Sequence, residues 1–244
     1  MTHLRAVVFD FDGVLADSEP LHFRALRDCL LAEGIAIDED EYLRTYLAYD
    51  DRGAVRIALE RHGLPFDAAR VEAAARRKAQ IFDAFLRDVP FLPGARELVL
   101  ELAREFPLAI ASGALRGEIE AILDAGRLRH AFSAIIGAED VRQGKPHPEP
   151  YLAAVARLGP LADGLRPGEC LAFEDSMPGV ASAMAAGMKV VAVTNSYPAA
   201  KLGAAHRVVS SLAGLDVADL RSWFEGLAGA SPSEKGRPHG AAGS

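Results

Sequence analysis

The sequence predicts a doubly wound α/β protein: a parallel sheet with helices on both faces, interrupted early by a bundle of helices. Three observations predict it. A short, bounded, β-rich apolar run, Ala6-Val7-Val8-Phe9, opens the chain. The stretch from residue 18 to residue 90 favours helix throughout and contains no strand. From residue 91 onward, short apolar runs alternate with amphipathic helical stretches, the order that a parallel sheet with crossover helices requires.

Pro20 to Glu33 begins the helical insert, with Leu21, Ala25, Leu26, Cys29 and Leu30 at helical spacing and Gly34 as a C-terminal stop. Helices are then expected over Asp38 to Tyr49, Arg52 to His62 and Asp67 to Asp88, with Gly63, Pro65 and Pro90 as punctuation. Leu92-Pro93-Gly94-Ala95 marks the return to the sheet, where Leu98, Leu100 and Leu102 fall in a new amphipathic pattern. Strands are expected at Leu108 to Ala111, Ala134 to Ile136, Cys170 to Phe173, Val190 to Val193 and Arg207 to Val209. Helices near 114–125, 148–157 and 178–186 separate them. The final stretch, Gly229 to Ser244, is rich in glycine, serine and proline and is expected to be a disordered tail.

Half of the 244 residues are hydrophobic, ample for a buried core. Acidic residues outnumber basic ones 34 to 27, for a formal charge of -7. That balance argues against a broad basic surface for nucleic acid or an anionic membrane, so any phosphate site must be a local basic feature. Cys29 and Cys170 lie far apart inside apolar segments and lack zinc-type spacing, which suits buried free thiols in a reducing compartment. The N-terminus passes directly into the first strand, and no apolar stretch approaches the eighteen or so residues of a membrane span. The expectation is a soluble, cytoplasmic monomer.

Four stretches carry chemistry. The first strand stops at Asp10 and Asp12, followed by Gly13, which lets the chain turn sharply. On an extended backbone residues i and i+2 point to the same side, so these carboxylates are expected to converge. Such a pair suits a hard cation such as Mg2+, and one member can act as nucleophile; an ordinary loop cap followed by an Asp-Gly turn is the alternative. Leu108 to Ala111 ends in Ser112-Gly113 before a helix, where a hydroxyl and free amides suit phosphate oxygens, or where serine serves as a plain N-cap. Gly144-Lys145-Pro146-His147-Pro148 presents a lysine from a proline-stiffened turn, able to neutralise clustered anions, with His147 a loop residue. Leu171-Ala172-Phe173-Glu174-Asp175-Ser176 again ends a buried strand in carboxylates, of which Asp175 is the expected direct metal ligand and Glu174 its neighbour.

Taken in order, these four motifs resemble those of the haloacid dehalogenase superfamily, in its phosphatase and phosphomutase branch. The resemblance runs from residue 5 to about 220. It implies a Rossmann-like core of residues 1–17 and 91–228, a helical cap of residues 18–90 that closes over the site, and a tail of residues 229–244. It also implies that Asp10 attacks phosphorus to form an aspartyl phosphate, while Asp12 protonates the leaving oxygen and later activates water. Mg2+ would be held by the Asp10 carboxylate, the Asp12 backbone carbonyl and Asp175, with Glu174 nearby; Ser112 and Gly113 would meet the phosphate, and Lys145 would offset its charge.

Substrate choice falls to the cap. Related sugar-phosphate mutases carry a substrate-binding arginine in the region of Asp50-Asp51-Arg52-Gly53; here Asp51 takes its place and Arg52 is displaced by one residue. Arg52 is then either a substrate contact or a surface helix-start charge. His22 stands where β-phosphoglucomutase-like members have a histidine, and either couples the cap to Asp12 or simply packs. The expected function is Mg-dependent hydrolysis of small phosphate monoesters, sugar phosphates or phosphoglycolate-like compounds. A sugar-phosphate mutase is the alternative, and a silent binding protein is a third reading.

Overall fold

The structure is a computed structural model, in which residues 2–47 and 49–227 are described. The expected tail, 229–244, lies outside them. Six strands form one parallel sheet: β1 (Ala6–Phe9), β2 (Leu108–Ala111), β3 (Phe132–Ile136), β4 (Cys170–Glu174), β5 (Lys189–Val193) and β6 (Arg207–Val209), in the order β3-β2-β1-β4-β5-β6. Register aligns Val8 with both Ala109 and Ala172, so β1 is central. The chain builds outward from β1 in one direction and from β4 in the other. Between these two strands lies the switch in strand order where α/β sheets place ligands.

Alternation along β1 fills two cores. Val7 and Phe9 face one side with Leu98, Leu102, Ile119, Leu123 and Phe224. These come from α5 (Ala95–Leu102), α6 (Arg116–Ala125) and α9 (Val217–Leu227). Ala6 and Val8 face the other side with Tyr151, Ala154, Val155 and Val180, from α7 (Glu149–Leu158) and α8 (Met177–Ala185). A parallel strand covered on both faces has no polar side, which is why β1 reads as an unbroken apolar run.

After β1 the chain turns at Gly13 (φ +73°) and runs back beside the segment that returns from the insert. The Asp17 amide donates to the Pro90 carbonyl at 3.0 Å, and the Leu92 amide to the Leu15 carbonyl at 2.9 Å. The insert therefore leaves and re-enters the core through two adjacent strands of chain. Its helices are α1 (Glu19–Leu31), α2 (Glu39–Glu41), α3 (Asp51–Arg61) and α4 (Ala68–Asp83). They enclose an apolar centre of their own, including Leu26, Leu30, Tyr46, Val55, Leu59 and Val71.

Two expected helices are shorter than their sequence suggests. The helix expected over 38–49 is α2 followed by a π-turn, Tyr42–Tyr46, in which the Leu47 amide reaches five residues back to the Tyr42 carbonyl. Both tyrosine rings are thereby buried, with their hydroxyls donating to Glu19 and Glu41. The helix expected to run to Asp88 stops at Asp83, and a 3₁₀ turn, Leu86–Asp88, follows it. Leu86 and Val89 are thereby turned into the core under the sheet. Among the described residues, no helix is long and apolar enough to cross a membrane.

Candidate active site

Asp10 directly follows β1, and its amide extends the ladder by donating to the Phe173 carbonyl at 2.9 Å. Beneath it the rings of Phe9 and Phe173 stack with centroids 4.9 Å apart, fixing β1 against β4. Glu174 ends β4 and Asp175 follows it, so the adjacent ends of these two parallel strands gather three carboxylates. One oxygen from each of Asp10, Glu174 and Asp175 lies within 4.8 Å of the others, and all three residues are buried.

Lys145 is the cation of this group. Its Nζ stands at ion-pair distance from both Asp10 Oδ1 (2.7 Å) and Glu174 Oε1 (2.6 Å). Glu174, with no exposed surface, also accepts from the Tyr151 hydroxyl at 2.7 Å and from the amides of Asp175 (3.0 Å) and Ser176 (3.3 Å). Asp175 accepts from the Ser196 hydroxyl through Oδ2. Two glycines make room: a Cβ at Gly13 would lie 1.9 Å from Asp175 Oδ2, and one at Gly179 would lie 1.8 Å from Glu174 Oε1.

Charge balance sets the protonation of the group. Burial, reinforced by Glu174, raises the Asp10 carboxyl well above its ordinary range despite Lys145. Burial likewise raises Asp175, to about 6. Burial would raise Glu174 too, but the Lys145 charge and the hydrogen bonds it receives hold it below its ordinary value. Burial opposes the charge on Lys145, yet the two carboxylates beside it keep it firmly protonated. Three carboxylates against one ammonium leave excess negative charge in a buried, all-oxygen donor set. A hard divalent cation fits that set, since it would offset the excess and favour the ionised carboxylates.

Asp12 departs from the sequence expectation. Strand geometry ends at Phe9, so the same-side rule for residues i and i+2 does not extend to it, and its carboxylate is not one of the three gathered oxygens. Instead Asp12 accepts from the Ser18 hydroxyl and faces a cleft, with its carboxyl raised chiefly by burial. Ser112 is buried after β2 on the same rim, and its Oγ accepts from the Ala114 amide at 3.0 Å. The residue at the N-cap of α6 is Leu115, so Ser112 is not that helix's cap. Gly113 borders the cleft. The turn carrying Lys145 holds His147 away from the carboxylates; its carbonyl accepts from Ser182 at 2.6 Å and its ring from the Glu149 amide.

The cleft measures about 580 Å3 and lies between the sheet rim, at Asp12 and Gly113 to Leu115, and the insert helices. His22 and Arg52 both line it. His22 stacks on Phe82 at 3.9 Å between centroids, and burial with the nearby Lys78 charge lowers its pKa to about 3. A neutral ring whose Nδ1 sits 2.8 Å from an ammonium accepts there and carries its proton on Nε2. Arg52 is exposed and engaged with Glu72, at 2.6 Å from Nε to Oε2.

Sequence reasoning missed Ser18, Lys78, Tyr151 and Ser196. Ser18 closes the first motif and could have been found by asking what satisfies Asp12 after a tight turn. Lys78 follows Arg76 and Arg77 and reads as a solvated helix charge, although it is 4% exposed. Tyr151 and Ser196 carry no local signal, because only the packing of α7 and the loop after β5 around the sheet rim brings them to the carboxylates.

Comparison with known proteins places the chain in a family. The profile of the haloacid dehalogenase-like hydrolase family matches residues 4–187. Protein CbbY of Rhodobacter capsulatus is 36% identical over 205 residues, covering 80% of this chain and 87% of that protein. Hexitol phosphatase B of Escherichia coli (strain K12) is 34% identical over 191 residues, covering 77% and 82%. The crystal structure of CbbY from Rhodobacter sphaeroides in complex with phosphate superposes with a TM-score of 0.74 at 26% identity, covering 89% of this chain and 99% of that one. The chain belongs to the haloacid dehalogenase-like hydrolase family.

Proposed function

We propose that this enzyme hydrolyses small sugar-phosphate monoesters through a phosphorylated Asp10. The observation that carries the reading is Lys145 standing between Asp10 and Glu174, in a buried acidic group beside the cleft that Asp12 faces. Hexitol phosphatase B, similar to this chain, supports the substrate class, and the similar CbbY structure with bound phosphate supports a phosphate site.

In the first step an Asp10 carboxylate oxygen bonds to phosphorus while the bond to the leaving alcohol breaks. Asp12 gives its proton to the departing oxygen, a role suited to a carboxyl that burial shifts upward from its ordinary range. In the second step water attacks phosphorus and Asp12, now a carboxylate, takes a proton from it. The bond to Asp10 breaks, releasing inorganic phosphate and the free carboxylate. Ser112 and the Gly113 amide hold phosphoryl oxygens, and Lys145 counters the repulsion between Asp10 and the dianion. The insert acts as a cap that excludes water and selects the alcohol. Mg2+ would be held by the Asp10 and Asp175 carboxylates and the Asp12 carbonyl, with Glu174 beside them, and when bound it stabilises charge on the phosphoryl oxygens.

Phosphate release from a panel of sugar monophosphates, with and without Mg2+, tests the reading. Mg-dependent release from related esters, lost in Asp10→Asn, is expected. Conversion of β-glucose 1-phosphate to glucose 6-phosphate with little free phosphate would instead mark a mutase, and silence on every ester would overturn the hydrolase.

A further inference from the structure

Among the described residues, every cation that lines the cleft is already matched by a carboxylate. Lys78 Nζ lies 2.7 Å from Asp51 Oδ1, Arg52 Nε 2.6 Å from Glu72 Oε2, and Arg76 3.5 Å from Glu72 Oε1. Six carboxylates and three cations of the described residues border the space, so their summed formal charge is negative before any ligand enters. Lys78 is the buried member. Its side chain is 5% exposed against 41% for Asp51, and it is fixed by the His22 ring at 2.8 Å and by the Phe82 face at 5.1 Å. His22 is neutral and meets Lys78 through its accepting Nδ1, so it takes no part of the opposing charge.

A monoester with an uncharged, hydroxyl-rich alcohol suits this space. Its hydroxyls can donate to Asp51 and Glu118 and accept from Lys78 without breaking an ion pair. A second phosphate is another matter. It would compete with Asp51 for Lys78, or with Glu72 for Arg52, and would stand among carboxylates when it did so.

Resting on the hydrolase reading, we propose that Asp51 is a specificity-determining residue: by occupying Lys78 it restricts the cleft to monophosphates with an uncharged leaving group and excludes bisphosphates. Asp51 sits in the first turn of α3, where its charge also suits the helix N-terminus, while the neighbouring Asp50 caps the helix through the Gly53 amide at 2.8 Å. Asp51 is thus free to face the cleft without carrying the cap.

Matched pairs that differ by one phosphate test the assignment: fructose 1-phosphate with fructose 1,6-bisphosphate, glucose 6-phosphate with glucose 1,6-bisphosphate, and ribulose 5-phosphate with ribulose 1,5-bisphosphate. For the native enzyme, kcat/KM is expected to favour the monophosphate of a pair by about tenfold or more. Asp51→Asn is expected to raise the bisphosphate's relative kcat/KM by about tenfold, mainly through KM, with Asp51→Glu keeping the native ratio. Adding Lys78→Met to Asp51→Asn should remove the gain. Equal use of both members by the native enzyme would overturn the assignment of Asp51 alone, whether or not the variants fold, as would an unchanged ratio in Asp51→Asn. Silence on both members of every pair would remove the hydrolase reading, and this proposal with it.

Discussion

Lys145 Nζ lies 2.7 Å from Asp10 Oδ1, with both side chains nearly closed off from solvent. The contact ties the ionisation of Asp10 to one ammonium, because burial and Glu174 both push its carboxyl upward and Lys145 is the largest opposing influence. Lys145→Met should therefore raise the Asp10 carboxyl further and lower the fraction able to attack near neutrality. The expected result is a loss of about 100-fold or more in kcat, with the acidic limb of the pH–rate profile moved to higher pH. Full activity with an unmoved limb would contradict the electrostatic role of Lys145.

Gly179 makes room for Glu174. Adding a methyl group in Gly179→Ala places carbon 1.8 Å from Glu174 Oε1 and forces the carboxylate away from Lys145 and Tyr151. Stability should fall by about 1–3 kcal/mol in denaturant unfolding, and kcat should fall with it. Gly117→Ala, at a helical position with open space, is the contrasting substitution and should be neutral or stabilising by up to about 1 kcal/mol.

His22 gives the fold an acid sensitivity of its own. Burial and Lys78 lower its pKa from 6.5 to about 3, so the folded state resists a proton that the unfolded chain accepts. This contribution is fully present above pH 6.5 and is lost as pH falls from there toward 3, at no more than about 1.4 kcal/mol per pH unit. Unfolding of His22→Gln, followed over that window, should show a shallower loss than the native protein. Parallel curves would contradict the assignment of a neutral buried ring.

Metal binding has a readout apart from turnover. A cation held by the folded acidic group and not by the unfolded chain raises the melting temperature as its concentration rises. Mg2+ should therefore raise Tm, EDTA should reverse the rise, and Asp175→Asn should largely remove it. A Tm indifferent to Mg2+ in the native protein would contradict the site.

Much of this molecule was legible before its structure. The sheet was legible because each buried strand is an apolar run that ends at the same rim, and Asp10, Ser112 and Glu174 mark three of those ends. Lys145 was legible because two prolines surround its turn. The direction of the Asp12 carboxylate was not, since it depends on where strand geometry stops and on the distance to Ser18. Nor was Lys78: its burial arises from the packing of α1 and α3 against α4, which brings His22 and Asp51, beside Phe82 of its own helix, around a residue that looks solvated in sequence. The π-turn at Tyr42–Tyr46 was likewise hidden, because a five-residue hydrogen-bond step shares its local composition with an ordinary helix.

The central claim is that Asp10 carries the phosphoryl group, and the most direct measurement is chemical trapping of that intermediate. A turnover mixture with a hydrolysed monophosphate and Mg2+ would be quenched in acid, reduced with borohydride and mapped by peptide mass spectrometry. An acyl phosphate at Asp10 is reduced to the alcohol, so homoserine is expected at position 10, dependent on substrate and absent from Asp10→Asn. Homoserine at another aspartate, or rapid turnover with none at position 10, would contradict the account.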